Sequence, residues 1–445
     1  MKWDDGEVIH SIIMKKSGIS YRKAVNYLYS LRKYGVKFGL SKTSNLLKKL
    51  GNPHHGKTYI HIAGTNGKGS VAAMLESILT RAGFKVGFYS SPHLVRFTER
   101  FRVDQREITQ REAAELTDEL TSIMDPDHPP TYFEATTAMA LAYFARKKTD
   151  ISILEVGMGG RLDATNVITP VVSAITNISL EHGFYLGSRL IDIAREKAGI
   201  IKKGVYTVTA ATQPSVIRLF EDTCARKGAP FLRVGKDVRY RFNCLGLSYY
   251  GLEHVFRNLD VGLKGEFQRR NIALSIAVTE LLEKKGFRIS AGDIKEGLKK
   301  TIWPGRLHLI SQNPLIVVDG AHNPGAIKGL ANSLKTAFSY NRLILVIGIM
   351  KDKDINGMLS GIVPLSDYVI CTRPVYYRSA DPGDLMKKVS LHRKPGEVVP
   401  LISGAIEKAK QMAGPQDMIL VTGSLFTTGE ALTYFDPVKF RPDAF

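Results

Sequence analysis

The stretch Gly64-Thr65-Asn66-Gly67-Lys68-Gly69-Ser70 constrains this chain more than any other. An apolar, strand-like run, Tyr59–Ala63, precedes it, and Val71, Met74, Leu75, Ile78 and Leu79 follow it at helical spacing. A strand, a glycine-rich turn and a helix in succession form an anion cradle. The glycines let successive backbone N–H groups turn towards one anion, the helix N-terminus adds partial positive charge, and Lys68 adds a full one. The string differs from the common P-loop, because Gly69 separates Lys68 from Ser70 and the first glycine stands closer to the lysine. The anion it fits is a nucleotide triphosphate; the alternative is a turn that only links strand to helix.

A chain of 445 residues exceeds one ordinary hydrophobic core, so two or three domains are expected. Apolar content of 44% and charged content of 23% are those of a globular protein. The longest apolar runs, such as 343–350, are strand-sized, so no transmembrane helix is expected. The first residues, with Lys2, Asp4, Asp5 and Glu7, lack the apolar core of a secretory signal, and a cytoplasmic protein is expected. Cys224, Cys244 and Cys371 are too dispersed for a disulfide framework or a structural zinc site and read as reduced, inert thiols. The formal charge of +20 suits nucleic acid, an anionic membrane or a small polyanionic substrate. Its lysines and arginines fall in short groups, such as Arg269-Arg270 and Lys299-Lys300, without a long basic block or an aromatic RNA-binding motif. The expectation is a solvated basic surface that steers ATP and a poly-carboxylate substrate, with no membrane partner and nucleic acid only incidental.

Strand-like runs at 85–89, 151–156, 171–175 and 206–209 alternate with helical patterns such as 133–147, which predicts a mostly parallel sheet flanked by helices. From about Phe231 to Gly265 short aromatic-containing pieces, including 247–250, predict a small antiparallel addition. A helix is expected from Phe267 to about Lys285. Trp303-Pro304-Gly305 then interrupts the chain and places a domain boundary, with residues 1–303 as an ATP-binding domain. Residues 304–445, with strands at 315–318, 343–347, 368–371 and 418–421, form a smaller Rossmann-like domain. No internal repeat is present.

Further strings follow GTNGKGS in order: YSSPHLVRFTER at Tyr89, YFEATTA at Tyr132, LEVGMGGRLDATN at Leu154, EKAGIIK at Glu196, FQRRN at Phe267, PGRL at Pro304, DGAHNP at Asp319 and VTGSL at Val421. Together they resemble the folylpolyglutamate synthase/dihydrofolate synthase branch of the Mur ligase family, from about Tyr21 to the last helix. Residues ahead of about Ser17 form an extension with no assigned role. The resemblance implies an α/β fold, a P-loop domain followed by a Rossmann-like one. It also implies ATP-dependent ligation of L-glutamate to dihydropteroate, and to tetrahydrofolate and its polyglutamates, through an acyl phosphate. A monomer acting on these small molecules is the family-like expectation.

Glu155 ends an apolar strand just before Gly157, Gly159 and Gly160, and strand C-termini are where parallel sheets hold ligands. A carboxylate there, beside a phosphate loop, suits Mg²⁺; the alternative is a solvated strand-end carboxylate. By resemblance Ser91 and Glu155 bind Mg²⁺ and His182 helps to bind a second ion. Imidazole is an unusual magnesium ligand, and by itself His182 reads as structural. Glu181 stands where the family commonly has an aspartate. Lys197 alone reads as an exposed helix lysine. The resemblance implies a carbamylated side chain, which joins Lys68, Glu155 and His182 in catalysis and requires an amine whose pKa is lowered by burial or nearby positive charge.

By resemblance Gly64, Thr65, Asn66, Gly67, Lys68, Gly69 and Ser70 bind ATP on one side of an interdomain cleft, and Asn271, Arg306 and Asp319 on the other. Arg306 would lie near the phosphates and Asp319 near the nucleoside, although Arg306 could also be an interdomain salt-bridge partner. His322 is open between ligand binding and bracing its turn, and Thr422-Gly423-Ser424-Leu425 reads as a packed strand-to-helix turn. Thr131-Tyr132-Phe133-Glu134 and Leu162-Asp163-Ala164 resemble pterin-binding segments. Phe133 could stack on a flat heterocycle and Glu134 could bond its nitrogens; the alternative for Glu134 is a carboxylate at a helix N-terminus. Two other functions fit parts of the pattern: a Mur-type ligase acting on a peptidoglycan precursor, and a P-loop nucleotidase or nucleic-acid-binding ATPase.

Overall fold

The computed structural model describes residues 19–443 apart from Val36, Phe38, His182, Cys244 and Leu245. Strands β1 (Tyr59–Ala63), β2 (Val86–Tyr89), β3 (Phe101–Val103), β4 (Arg106–Glu107), β5 (Ile151–Glu155), β6 (Val172–Ile175), β7 (Tyr206–Thr209) and β8 (Phe231–Arg233) form one sheet. Their spatial order is 4-3-2-5-1-6-7-8. Strands β2 and β5 to β8 run parallel with β1, while β3 and β4 add an antiparallel edge. The central strands are buried along their whole length, as the unbroken apolar runs of β1 and β5 require of a sheet covered on both faces.

After β1 the chain passes over the place later filled by β5 to reach β2, and after β5 it crosses β1 to reach β6. Such a reversal opens a crevice at the carboxyl ends of the strands. Register pairs Ile62 with Glu155 and Ala63 with Ile175, so the residues leaving these three strands share one end of the sheet.

Strands β9 (Arg239–Asn243), β10 (Gly246–Tyr250) and β11 (Val255–Leu259) form a separate antiparallel sheet. Glu280, fully buried in the helix Glu266–Glu283, anchors it by accepting from Tyr249 Oη at 2.7 Å and from the N–H groups of Leu252, Glu253 and His254 at 3.1, 3.0 and 2.9 Å. The sequence reading needs correction at 231–233. This piece is the eighth strand of the main sheet, parallel to β7, and not part of the antiparallel addition. Three residues show no periodicity of their own, and only the exposed edge of β7 decides where they pair.

Strands β12 (His308–Gln312), β13 (Leu315–Val318), β14 (Leu343–Ile347), β15 (Tyr368–Arg373), β16 (Gly396–Leu401) and β17 (Met418–Thr422) make a six-stranded sheet in the order 12-13-17-14-15-16. All but β12 are parallel. Here too the last strand returns between β13 and β14, and a second crevice opens where Asp319, Gly348 and Gly423 leave the sheet. The two crevices face one another across a cleft of about 580 Å³.

Among the described residues no helix is long and apolar enough to cross a membrane. Burial pushes the Cys224 thiol up to about 11 and the Cys371 thiol up to about 12, which keeps both protonated; Cys244 lies outside the described residues.

The helix Lys68–Arg81 carries the glycine loop and is held against the helix Ala291–Lys300, where Ser77 Oγ donates to the Gly297 carbonyl at 2.7 Å. A Cβ on Gly297 would lie 2.6 Å from the Ile78 Cα, so the helices meet this closely only because position 297 has no side chain. Gly297→Val should therefore lower stability by about 3 kcal/mol. A urea midpoint equal to that of the parent would contradict this packing.

Candidate active site in the interdomain cleft

The loop after β1 is pinned from both sides. Thr65 N–H donates to the Asn177 carbonyl and Asn66 N–H to Asn177 Oδ1, both at 2.8 Å, while Thr176 Oγ1 donates to the Asn66 carbonyl at 2.7 Å. Gly64 has φ +142° and a Cβ there would meet Thr176 Oγ1 at 1.8 Å; Gly67 has φ +90° and a Cβ there would meet Asn271 Oδ1 at 2.6 Å. Only glycine suits these two positions. Lys68 folds back so that Nζ donates to the carbonyls of Gly64 and Thr65, at 3.1 and 3.2 Å. Ser70 Oγ accepts from Gln268 Nε2 at 3.2 Å, and Gln268 Oε1 accepts from Asn271 Nδ2 at 2.9 Å.

Glu155 lies 6% exposed at the end of β5, and Oε2 accepts from the Ser91 N–H at 3.4 Å. Burial lifts its carboxyl above the usual range, against the opposing pull of Lys68, the Ser91 N–H, Arg306 and Arg100. Lys197 is 3% exposed, not the surface lysine that its helix alone suggests, and Nζ donates to the Gly64 carbonyl at 2.8 Å. Burial, with Lys68 adding to it, pushes this amine down to about 7, although Glu181 and Asp163 favour its charge. His182 lies outside the described residues.

The opposite wall is the smaller sheet's crevice. Asp319 accepts from the N–H groups of Leu307 and Ala321, both at 2.9 Å, so its carboxylate ties two cleft turns together, and burial holds its pKa raised. Arg306 Nη1 donates to the Gly305 carbonyl at 3.1 Å, and among the described residues Arg306 makes no ion pair, contrary to the salt-bridge alternative. His322 Nδ1 donates to the Gly320 carbonyl at 2.8 Å, which braces its turn and leaves Nε2 3.6 Å from Glu181 Oε1 across the cleft. Asn66 and Asn323 exchange amide hydrogen bonds of 3.2 and 2.9 Å, which join the glycine loop to the second domain. Ser424 caps the helix Leu425–Phe435 and lines the cleft.

Thr131, Tyr132, Phe133 and Glu134 line the same cleft as Leu162, Asp163 and Ala164. Glu134 Oε2 accepts from the Thr131 N–H at 2.7 Å while Thr131 Oγ1 accepts from the Glu134 N–H at 3.3 Å, a reciprocal cap on the helix Tyr132–Lys147. This is the helix-terminal role weighed for Glu134. Phe133 packs so closely under the turn after β5 that a Cβ on Gly157 would be 2.5 Å from its Cζ. Asp163 is oriented by Met158 N–H at 2.9 Å and by Thr165 Oγ1 at 2.5 Å. Thr165 Oγ1 also lies 2.8 Å from the fully buried His61 Nε2. The one threonine proton goes to Asp163, so His61 must donate through Nε2–H.

Sequence reasoning missed His61, Thr165 and Arg100. His61 reads as an ordinary strand residue, and Arg100 belongs to a string whose visible order says nothing about direction. Glu99 beside it braces the loop by accepting from the N–H groups of Leu94, Val95 and Arg96 at 2.7, 3.0 and 2.7 Å, whereas Arg100 points into the cleft.

Because Gly67 meets both a left-handed backbone and the Asn271 amide, Gly67→Ala should weaken ATP binding by about tenfold or more while leaving the far-ultraviolet spectrum unchanged. Calorimetric titration with ATP checks this, and parent-like affinity would refute the cradle.

Residues 62–279 match the Mur ligase middle domain, and residues 305–425 match the Mur ligase glutamate ligase domain. The chain is 36% identical over 434 residues to a probable bifunctional folylpolyglutamate synthase/dihydropteroate synthase of Haloferax volcanii, covering 93% of this chain and 50% of that protein. It thus spans about half the length of that relative. It is 34% identical over 420 residues to the dihydrofolate synthase/folylpolyglutamate synthase of Bacillus subtilis, covering 92% of this chain and 97% of that one. Escherichia coli FolC, solved in complex with DHPP and ADP, superposes with a TM-score of 0.87 at 33% identity, covering 95% of this chain and 99% of that one. The bifunctional folylpolyglutamate synthase/dihydrofolate synthase with Mn, AMPPNP and L-glutamate bound gives 0.83 at 32% identity, over 93% and 98%. Matched by both Mur ligase domains and covering nearly the whole length of the Bacillus subtilis protein and of Escherichia coli FolC, the chain belongs to the Mur ligase family, in its folylpolyglutamate synthase/dihydrofolate synthase branch.

Proposed function

We propose that this protein is a cytoplasmic, monomeric ligase that uses ATP to join L-glutamate to dihydropteroate and to tetrahydrofolate and its polyglutamates. The observation that carries the reading is one cleft in which the glycine loop, Lys68, Glu155 and Arg306 meet beside the Thr131–Glu134 and Leu162–Ala164 segments. The names of the relatives support it, and none of those given above mentions a peptidoglycan precursor or a nucleic acid.

A carboxylate is a poor electrophile. Transfer of the γ-phosphoryl group of ATP to a carboxylate oxygen makes an acyl phosphate and ADP. The glutamate amine attacks the acyl carbon and loses a proton, and the C–O bond breaks with its electron pair leaving on phosphate. No side chain need form a covalent intermediate. Lys68 and the loop N–H groups hold the triphosphate, and Arg306 reaches it from the second domain. Lys353, which lines the second domain's wall, suits a carboxylate of the incoming glutamate.

Ser91 and Glu155 are the residues that would hold a divalent cation. Glu155 fits, because a buried carboxylate whose hydrogen bond from the Ser91 N–H is as long as 3.4 Å has lone pairs to offer a hard ion. Among the described residues no group of three or more His, Cys, Asp and Glu converges, which suits Mg²⁺ held by one carboxylate, substrate phosphates and water. Bound there, the ion would neutralise phosphate charge. A second ion with His182 belongs to the same proposal by resemblance. So does carbamylation of Lys197, in which the neutral amine nitrogen bonds to the carbon of CO₂ and releases a proton. An amine held down to about 7 is half neutral at that pH, and this supports the reading.

Phosphate release with L-glutamate, offering dihydropteroate and tetrahydrofolate separately and weighing the products, tests the function. Ligated product from both is expected; product from one alone would leave a single activity, and product from neither would overturn the assignment. Glu155→Ala should cut turnover by about 10²-fold or more with the fold retained, and near-normal turnover would remove its metal role. Lys197 loses its proton as pH rises, so the ¹³C carbamate signal from labelled bicarbonate should grow from pH 6 to pH 8, about either side of the lowered pKa, and vanish in Lys197→Met. A signal unchanged by that substitution would refute the site.

A further inference from the structure

Arg100 lies only 5% exposed on the cleft wall, yet among the described residues no carboxylate pairs with it; its Nε donates to His93 Nδ1 at 2.8 Å. A buried guanidinium without a counter-ion is costly, and such a group is retained where a ligand brings the anion. The guanidinium lies 5.2 Å from the centre of the Tyr132 ring, and Arg32 lies 5.0 Å from the same ring and 3.9 Å from that of Tyr29. Arg32 is exposed and likewise has no carboxylate partner among the described residues. Among the described residues the buried hydroxyl of Tyr132 has no hydrogen-bond partner.

From the second domain Arg378 lines the cleft, 5.3 Å from the centre of Tyr376, whose ring stacks on Phe426 at 4.1 Å and 14°. The centre of the neighbouring Tyr377 ring lies 6.0 Å from Arg378, and Arg32 lies close enough to act on the same phenol. Among the described residues Arg378 has an acidic neighbour, Asp352, at 3.9 Å. At the inner end Arg100 acts electrostatically on Glu155, next to the phosphate loop. Two of the three guanidinium groups, Arg100 and Arg378, thus line the cleft, and the third, Arg32, lies near the same Tyr132 ring as Arg100.

We propose that Arg100, Arg32 and Arg378 form a ladder that binds the free carboxylates of an oligoglutamate tail on the acceptor substrate. The inference rests on the proposed function, because that reaction makes such a tail. Each glutamate joined through one carboxyl keeps another free, so an acceptor with several glutamates presents a row of anions beside the carboxylate that reacts. Dihydropteroate has only the reacting carboxylate and offers the ladder nothing. ATP does not explain it, since Lys68, the loop N–H groups and Arg306 already serve the triphosphate. Guanidinium groups suit the task, because a fork of donors matches a carboxylate and a flat cation stacks on tyrosine.

The test is a comparison of KM for dihydropteroate and for tetrahydrofolate bearing one and three glutamates, in the parent, Arg32→Ala and Arg378→Gln. Both substitutions should raise KM for the triglutamate about tenfold, raise it less for the monoglutamate, and leave dihydropteroate and all kcat values within about twofold. Equal rises for all three acceptors, or no rise for any, would overturn the ladder and leave these arginines as braces for the aromatic rings. If the parent ligates glutamate to none of the acceptors, the functional reading itself fails and the ladder falls with it. Thermal unfolding of each variant separates a lost contact from a lost fold.

Discussion

The parallel pairing of β1 with β5 and β6 is the constraint on which the rest depends. It sets the end of β1, where the glycine loop begins, beside Glu155 on one side and Thr176-Asn177 on the other. Thr176 and Asn177 then hold the loop in the shape that its glycines permit. A slip of one residue in this register would turn Glu155 to the opposite face and separate it from Lys68. The helix Lys68–Arg81 packs closely against Gly297, which fixes where the helix end of the cradle stands.

The second sheet repeats this device with different contents. Its reversal between β13 and β14 presents backbone turns, and Asp319 ties two of them together with its two carboxylate oxygens. Asn66 and Asn323 couple those turns to the glycine loop. The cleft that results is rich in cations, with Lys68, Lys197, Arg100 and Arg306 beside the buried carboxylates of Glu155, Asp163 and Asp319. Removal from water first, and then the charge of Lys68, are why the Lys197 amine is held so low. Such a site stores the cost of unpaired positive charge, which phosphates and carboxylates relieve.

Much of this was readable in the chain. The glycine string, the strand before it and the helix after it carry a local physical signal, and β1, β7, β13 and β14 have the bounds that their apolar runs predict. Lys197 was different: a helix lysine carries no sign of burial, and only the packing of its helix beside Gly64 lowers its pKa. The strand 231–233 was misassigned because so short a run has no period, and its partner lies in another part of the chain. His61 acts on Asp163 through Thr165, a chain of contacts spanning 104 residues that no spacing rule exposes.

The sequence by itself determined the elements and the anion cradle, because periodicity and glycine placement act over a few neighbouring residues. It also ordered the strings that identify the family. Only the tertiary structure decided which charges meet. Arg32, Arg100 and Arg378 come from three distant segments, and nothing local distinguishes them from the other arginines of a chain with a net charge of +20. Burial marks out Arg100, and the lack of a paired carboxylate among the described residues marks out Arg100 and Arg32; both properties arise only when the sheets and helices have packed.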